Sequence, residues 1–388
     1  MNLTATPVRV VAVSPLWLAG TPAASQASSE AAKNAILSDL ESRRPAVSAL
    51  ARKIWELAEV GYQETQSSSL LQAEFRAAGF TVEPGVAEMP TAFIANRGTG
   101  KPVIAFLAEF DALPGLSQEA VAERKPRVAN APGHGCGHHL FGSASTAAGI
   151  AVKNWLASAK SPGTVRVDGT PAEEGGAGKV YLVRAGLFND VDAVLVWHPS
   201  DGNDASPTTT LANISAKFCF HGVSAHAAGA PEQGRSALDG VEAMNFMVNL
   251  MREHVSSAAR IHYVITRGGG APNVVPDFAE VFYYARHPQA EEVDAIWARI
   301  LKAAEGAALG TGTRVEHEVV VHSVYSMLPN HTLARLMDAN LRKVGGYRYT
   351  AEEQAFAERI RKTLAAPKLP LGSQEAVQPF IPSSTAAS

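Results

Sequence analysis

From residue 28 onward, apolar side chains recur three and four positions apart, at Ile36, Leu40, Val47, Leu50, Ile54 and Leu57. That is the repeat of a helix with one buried face, and Pro45 is expected to break or kink it. A second helical stretch, Ser67 to Ala78, ends at Gly79, the residue type that closes helices in a left-handed turn. The period then shortens. Thr91 to Asn96 and Val103 to Phe110 predict strands, the second nearly all apolar as in a strand covered on both faces. A long loop rich in Gly, Pro and His leads to a small-residue helix, Gly142 to Ala157. Strand Thr164 to Gly169, helix Gly176 to Arg184 and a third buried strand, Val191 to Trp197, follow. Alternating strands and helices predict an α/β unit with a mixed, largely parallel sheet.

Near Leu211 the pattern changes to strand Ser215 to Phe220, long helix Arg235 to His254, strands Ile261 to Thr266 and Glu280 to Arg286, helix Ala290 to Ala304 and strand Val315 to Val321. Two helices against four largely antiparallel strands predict a compact α+β insert. Helical spacing resumes at Leu333, Leu336, Met337 and Leu341 and again from Ala351 to Leu364, before a Pro/Ser/Ala tail. The predicted organisation is a discontinuous α/β domain, residues 28–211 and 328–388, interrupted by an insert at 212–327.

Composition narrows the partners. Hydrophobic residues are 46% of the 388 positions and charged residues 18%, ample material for a packed core. With 34 Lys and Arg against 37 Asp and Glu, the net charge of −3 leaves no basic excess for a phosphate backbone, so nucleic acid is not an expected partner. No run approaches the roughly 20 apolar residues of a membrane span. Two cysteines, Cys136 and Cys219, exclude a disulfide framework. Residues 1–27, with Arg9 before the apolar run Val10 to Ala19 and Ala23, Ala24, Ser25 and Ala27 after it, read as a secretory leader. Cleaved, it places the protein in the periplasm or outside the cell; uncleaved, in the cytoplasm.

The chemistry concentrates in Gly133-His134-Gly135-Cys136-Gly137-His138-His139. Imidazoles and a thiolate are the borderline-soft donors that a zinc-class ion selects, and glycines let the backbone fold closely around a centre. In α/β sheets ligands gather at the carboxyl ends of strands, and this loop follows the Val103 to Phe110 strand. The next strand runs into Glu173-Glu174 and the third into His198. Adjacent carboxylates suit a division of labour in which one binds metal and the other takes a proton from water. Gly98-Thr99-Gly100-Lys101 lacks the remainder of a phosphate loop, and Cys219 is assigned to packing.

These residues carry a resemblance. Glu109-Phe110-Asp111-Ala112-Leu113-Pro114, His134-Gly135-Cys136-Gly137-His138, Pro171-Ala172-Glu173-Glu174-Gly175, Trp197-His198-Pro199, Gly222-Val223-Ser224-Ala225-His226-Ala227 and Asn273-Val274-Val275-Pro276 resemble the amidohydrolase branch of the aminoacylase and glutamate-carboxypeptidase metallopeptidases. The likeness runs from about residue 45 to 365 and is strongest to its aminobenzoyl-glutamate group. It implies two divalent transition-metal ions, Zn, Mn or Co, and a ferredoxin-like insert acting as lid and dimerisation surface, in a homodimer or a heterodimer with a related subunit. Carried over by motif, Cys136, His138, Glu174 and His198 are the implied metal ligands, Glu173 the general base and Asp111 the residue that orients the site. His226 is the implied oxyanion donor reaching into the partner's site. Asn273 is implied to hold the substrate carboxylate, and Arg286 is a further candidate for that role. The implied reaction is hydrolysis of aminobenzoyl-glutamate or another N-acyl or aryl amino acid.

The chain departs from the family at its far end. The family's last histidine ligand follows a Ser-Thr-Asp-Val-Gly-Asp type segment, whereas this sequence has no such segment and no histidine after His331. His331 could substitute as that ligand, but in Pro329-Asn330-His331-Thr332 it reads better as an N-terminal helix residue. The second metal site is therefore expected to lack a ligand. Two other readings stand beside the hydrolase: a shortened, catalytically impaired subunit acting in binding or dimerisation, and a cysteine hydrolase using Cys136 with His138 or His134, whose close spacing makes direct activation awkward.

Overall fold

The computed structural model describes residues 22–382 apart from 366 and 368. Of the expected leader, residues 1–21 lie outside the described residues, and 22–27 open a helix, α1 (Pro22–Leu57). It continues through Pro45, where the sequence predicts a break. Pro45 lies on the exposed side, where a carbonyl left without its N–H partner can be hydrated. Helix α2 (Thr65–Ala77) follows, and the Glu59 carboxylate between the two accepts the N–H groups of Gln66 and Ser67 at 3.1 and 2.8 Å, satisfying donors that a helix start leaves open.

The first sheet is built from β1 (Thr81–Pro84), β2 (Phe93–Thr99) and β3 (Val103–Ala108), then, after α3 (His138–Ala159), from β4 (Gly163–Gly169), and, after α4 (Glu173–Gly176) and α5 (Gly178–Arg184), from β5 (Ala193–Leu195). Its order is β1-β2-β4-β3-β5. Strands β4, β3 and β5 are mutually parallel, while β1 and β2 complete one side antiparallel. The parallel trio sends all three of its carboxyl ends to one edge. Helices α1, α2 and α3 cover one face over a core of Leu50, Ile54, Leu71, Phe75, Phe93, Phe110, Ile150, Val165 and Val167.

The third of these strands differs from expectation. The predicted seven-residue buried strand is only three residues long, has a neighbour on one side among the described residues, and leaves Val194, Val196 and Trp197 about two fifths exposed. The apolar run reads as a covered strand, but β5 is the edge of the sheet.

The insert follows the predicted plan. It comprises β6 (Ala212–His221), α6 (Ala237–Met251), β7 (Arg260–Arg267), β8 (Phe278–His287), α7 (Ala290–Thr311) and β9 (Arg314–Val324), in an antiparallel sheet of order β7-β8-β6-β9. Alternation decides its faces. Ile214, Ala216, Phe218 and Phe220 of β6 pack under both helices with Val241, Met244, Val248, Trp297 and Ile300. Ser215, and across the ladder Tyr284 and Arg286, belong to the opposite face, away from α6 and α7. Helix α8 (His331–Val344) starts at the predicted place, with the Asn330 side chain accepting from Leu333 N, and α9 (Ala351–Arg361) opens on a Thr350/Glu353 capping box. No described helix is long and apolar enough to cross a membrane.

Helix α3 approaches β4 through Gly149, where a Cβ would stand 2.5 Å from Val167 Cγ2. Gly149→Leu should therefore cost about 1–3 kcal/mol by overpacking. The check is the urea midpoint, which is expected to fall with an unchanged slope.

Candidate metal centre

The parallel trio determines where the chemistry lies. Past the end of β3 stand Glu109 and Asp111, past β4 Glu173 and Glu174, past β5 His198, and the first residue of α3 is His138. The chain reaches α3 through Gly137, whose φ of +92° and close approach to the Pro199 ring, 3.0 Å from a would-be Cβ, both call for glycine.

Asp111, 1% exposed, divides its carboxylate between two segments: Oδ1 lies 2.9 Å from His138 Nδ1, and Oδ2 accepts Glu174 N at 2.9 Å. The first contact fixes the imidazole so that Nε2 is the nitrogen left for a ligand. That Nε2 lies 3.0 Å from Glu109 Oε2 and 3.9 Å from Glu173 Oε2, close but without the alignment of a hydrogen bond to Glu109. Glu109 is anchored from its other oxygen by Lys179 Nζ at 2.5 Å. His198 is set in the same manner. Its Nδ1 is 2.8 Å from Pro199 O, its ring packs edge-on to His138 and Phe141, and its Nε2 is 3.3 Å from Cys136 Sγ.

Donor atoms of Cys136, His138 and His198 all lie within 4.8 Å of one another, as do those of Glu109, His138 and Glu173. The Glu174 carboxylate stands near enough to the Cys136 thiol to raise it, and keeps a buried Oε1 without a partner. Three buried atoms without hydrogen bonds, Glu109 Oε2, His138 Nε2 and Glu174 Oε1, thus converge with a thiol and a second imidazole. Orphaned polar atoms are costly in a core, and this S, N and O set suits a borderline-soft divalent cation.

The electrostatics agree. Burial, with the Glu174, Glu173 and Glu109 carboxylates beside it, pushes the Cys136 thiol up to about 12. Burial opposes charge on His138, but the Asp111 and Glu109 carboxylates outweigh it and raise the imidazole to about 10. Burial and then the Glu109 charge raise Glu173 above the usual carboxylate range, although 42% of its side chain remains exposed. The excess of negative charge that keeps protons here is the field that a cation neutralises.

The two other histidines of the loop lie apart from this cluster. His134 Nε2 lies 3.1 Å from Ile54 O, and its ring stacks 4.9 Å from His139. Burial lowers both to about 4 and keeps them neutral. His226 and Asn273 meet on the insert: Ala227 N donates to Asn273 O at 3.0 Å, and His226 bridges Val274. His226 Nδ1 accepts from Ala228 N and Gly229 N at 3.2 and 3.0 Å, which assigns a neutral ring's proton to Nε2. Arg286 stands on β8 with its guanidinium 4.9 Å from the Tyr284 ring centre. His331 is the first residue of α8, as its sequence context predicts. Sequence reading gave no role to Glu109, Lys179 or Tyr284, whose phenol interacts electrostatically with Glu173 and Glu174. Glu109 was detectable, lying two residues before Asp111 at the same strand end; the other two become visible only in three dimensions.

Comparison with known proteins bears on the family and the fold. The model of peptidase family M20/M25/M40 matches residues 105–376. A p-aminobenzoyl-glutamate hydrolase subunit of Escherichia coli (strain K12) is 46% identical over 329 residues, covering 84% of this chain and 68% of that protein. A Xaa-Arg dipeptidase of Mus musculus is 33% identical over 311 residues, covering 76% and 68%. Among solved structures, an aminobenzoyl-glutamate utilization protein from Klebsiella pneumoniae superposes with a TM-score of 0.62 at 20% identity over 83% of this chain and 89% of that one. A dinuclear metal-binding M20 peptidase of Bacillus subtilis gives 0.52 at 21% identity over 78% and 81%.

Because Cys136 and His138 both hold protons at pH 7 in the metal-free protein, zinc binding should displace one from each, and affinity should rise with pH. Calorimetry in buffers of different ionisation enthalpy measures this. Cys136→Ser is expected to release one proton fewer and bind more weakly; heats independent of buffer would contradict the assignment.

Proposed function

The chain belongs to peptidase family M20/M25/M40 and is a metal-dependent amidohydrolase; from that premise we propose that it cleaves the amide of p-aminobenzoyl-glutamate or a closely related N-acyl or aryl amino acid, releasing a carboxylate-bearing amine. The observation that carries the reading is the convergence of Cys136, His138 and His198 donor atoms at the strand edge that also carries Glu173 and Glu174. In this reading Cys136, His138, Glu174 and His198 would hold divalent Zn, Mn or Co, the second ion short of the ligand that the family's last histidine supplies. Bound there, divalent cations polarise the scissile carbonyl and make water more acidic.

The chain's own residues do the rest. Asp111 keeps His138 in one tautomer and tethers the backbone of Glu174. Glu173, raised above the ordinary carboxylate range by burial and by Glu109, takes the proton of the attacking water and passes it to the departing nitrogen. His226, protonated on Nε2, donates to the oxyanion of the partner's substrate. Asn273 and Arg286 hold the substrate carboxylate. Residues 28–211 with 328–388 form the catalytic domain, and the insert at 212–327 is the lid and dimer surface, paired with a second copy or, as the description of the Escherichia coli relative as a subunit suggests, with a different chain.

Glu173→Gln should lower turnover of aminobenzoyl-glutamate by about 10²–10⁴-fold while leaving metal content unchanged. Metal lost in step with activity would reverse the roles of the two glutamates. A chelator should abolish hydrolysis; activity that survives it and is killed by thiol alkylation would favour the cysteine hydrolase.

A further inference from the structure

The turn that carries Glu173 and Glu174 is built against its own preference. Ala172, wholly buried, adopts φ 56° and ψ 43°, left-handed values that cost a residue with a Cβ and persist only where surroundings impose them. The surroundings that impose it come from residues 61–64, between α1 and α2, more than 100 positions away in sequence. Glu64 has no exposed surface; its Oε1 accepts Ala172 N at 2.8 Å and its Oε2 accepts the Thr91 hydroxyl at 3.1 Å. Gly61 faces Ala172 so closely that a Cβ there would stand 2.9 Å from Ala172 Cα. Tyr62 donates its hydroxyl to Gly176 O at 2.7 Å, and its ring fills the space beside that glycine. Both ends of the turn are therefore held from one side, while Asp111 holds Glu174 N from the other.

A buried carboxylate is an expensive device for this purpose. Burial pushes Glu64 up to about 7, so near neutral pH part of its population carries a proton that a backbone N–H acceptor does not need. An apolar side chain would fill the space but could not accept the Ala172 N–H, and an unpartnered buried N–H beside an already strained residue would let the turn relax.

We propose that Glu64 is a positioning residue for the hydrolysis: by accepting the Ala172 N–H it fixes the left-handed backbone from which Glu173 and Glu174 project. The inference rests on the proposed roles of those two glutamates. A displacement of about 1 Å in a catalytic group can cost about 100-fold in rate.

The test compares Glu64→Ala, Glu64→Gln, Tyr62→Phe and Glu173→Gln in the metal-loaded full chain, measuring kcat, KM and metal per chain. Glu64→Ala is expected to lose about 100-fold in kcat with KM and metal content close to wild type, and Glu64→Gln, whose amide oxygen still accepts the N–H, to recover most of it. Tyr62→Phe, which deletes a single hydroxyl, should lose about 10-fold in kcat at full metal content and carries the test if Glu64→Ala does not fold. Wild-type kcat in metal-loaded Glu64→Ala or, failing that, in Tyr62→Phe overturns the proposal, as does a loss that only tracks missing metal. An active Glu173→Gln would instead overturn the reading of the site itself, which separates the two failures.

Discussion

One buried carboxylate ties the site together. Asp111 uses one oxygen to orient His138 and the other to hold the backbone of Glu174, so the end of β3, the start of α3 and the turn after β4 meet at a single side chain. The arrangement requires that those three segments already arrive at one edge. The parallel register of β3 with β4 and β5 achieves this, with Ala108 opposite Gly169 and Phe106 opposite Leu195. Were any strand of the trio reversed, its functional residue would leave from the far side of the sheet.

The cost of the arrangement is electrostatic. Carboxylates at 109, 111, 173 and 174 crowd a small volume, and Lys179 and a charged His138 offset them only in part. Burial with this crowding pushes the Cys136 thiol up, and the Asp111 and Glu109 carboxylates raise the His138 imidazole against its burial. A divalent cation at this edge would supply the missing positive charge and, on the proposed reading, a partner for the orphaned Glu109, His138 and Glu174 atoms. Burial, with the Glu109 carboxylate beside it, raises Glu173 as well, the direction that its proposed role as general base needs.

Much of this was legible in sequence because period and punctuation are local. The insert's strands and helices, and α2 with its closing Gly79, follow from spacing alone. The loop at 133–139, the Glu173-Glu174 pair and His198 were legible as donor-type residues at strand ends, and the choice of ligands among them came from the family resemblance. What was not legible depends on neighbours. Pro45 does not end α1, because its exposed side tolerates the lost hydrogen bond. The run at 191–197 reads as a buried strand, but β5 lies at the sheet's edge. His134 and His139 resemble ligands in the motif, yet burial and the Ile54 carbonyl turn them into packing. Glu64 has no motif signal, since its partner Ala172 is set by the fold.

The central claim, that these segments converge to hold a transition metal while leaving Glu173 free to move protons, is tested most directly by an anomalous difference map at the zinc edge from crystals grown with zinc. Density is expected among Cys136, His138, Glu174 and His198, with the Glu173 carboxylate facing the substrate cleft. Density away from this edge, or zinc bound by Glu173 with Glu174 free, would contradict it.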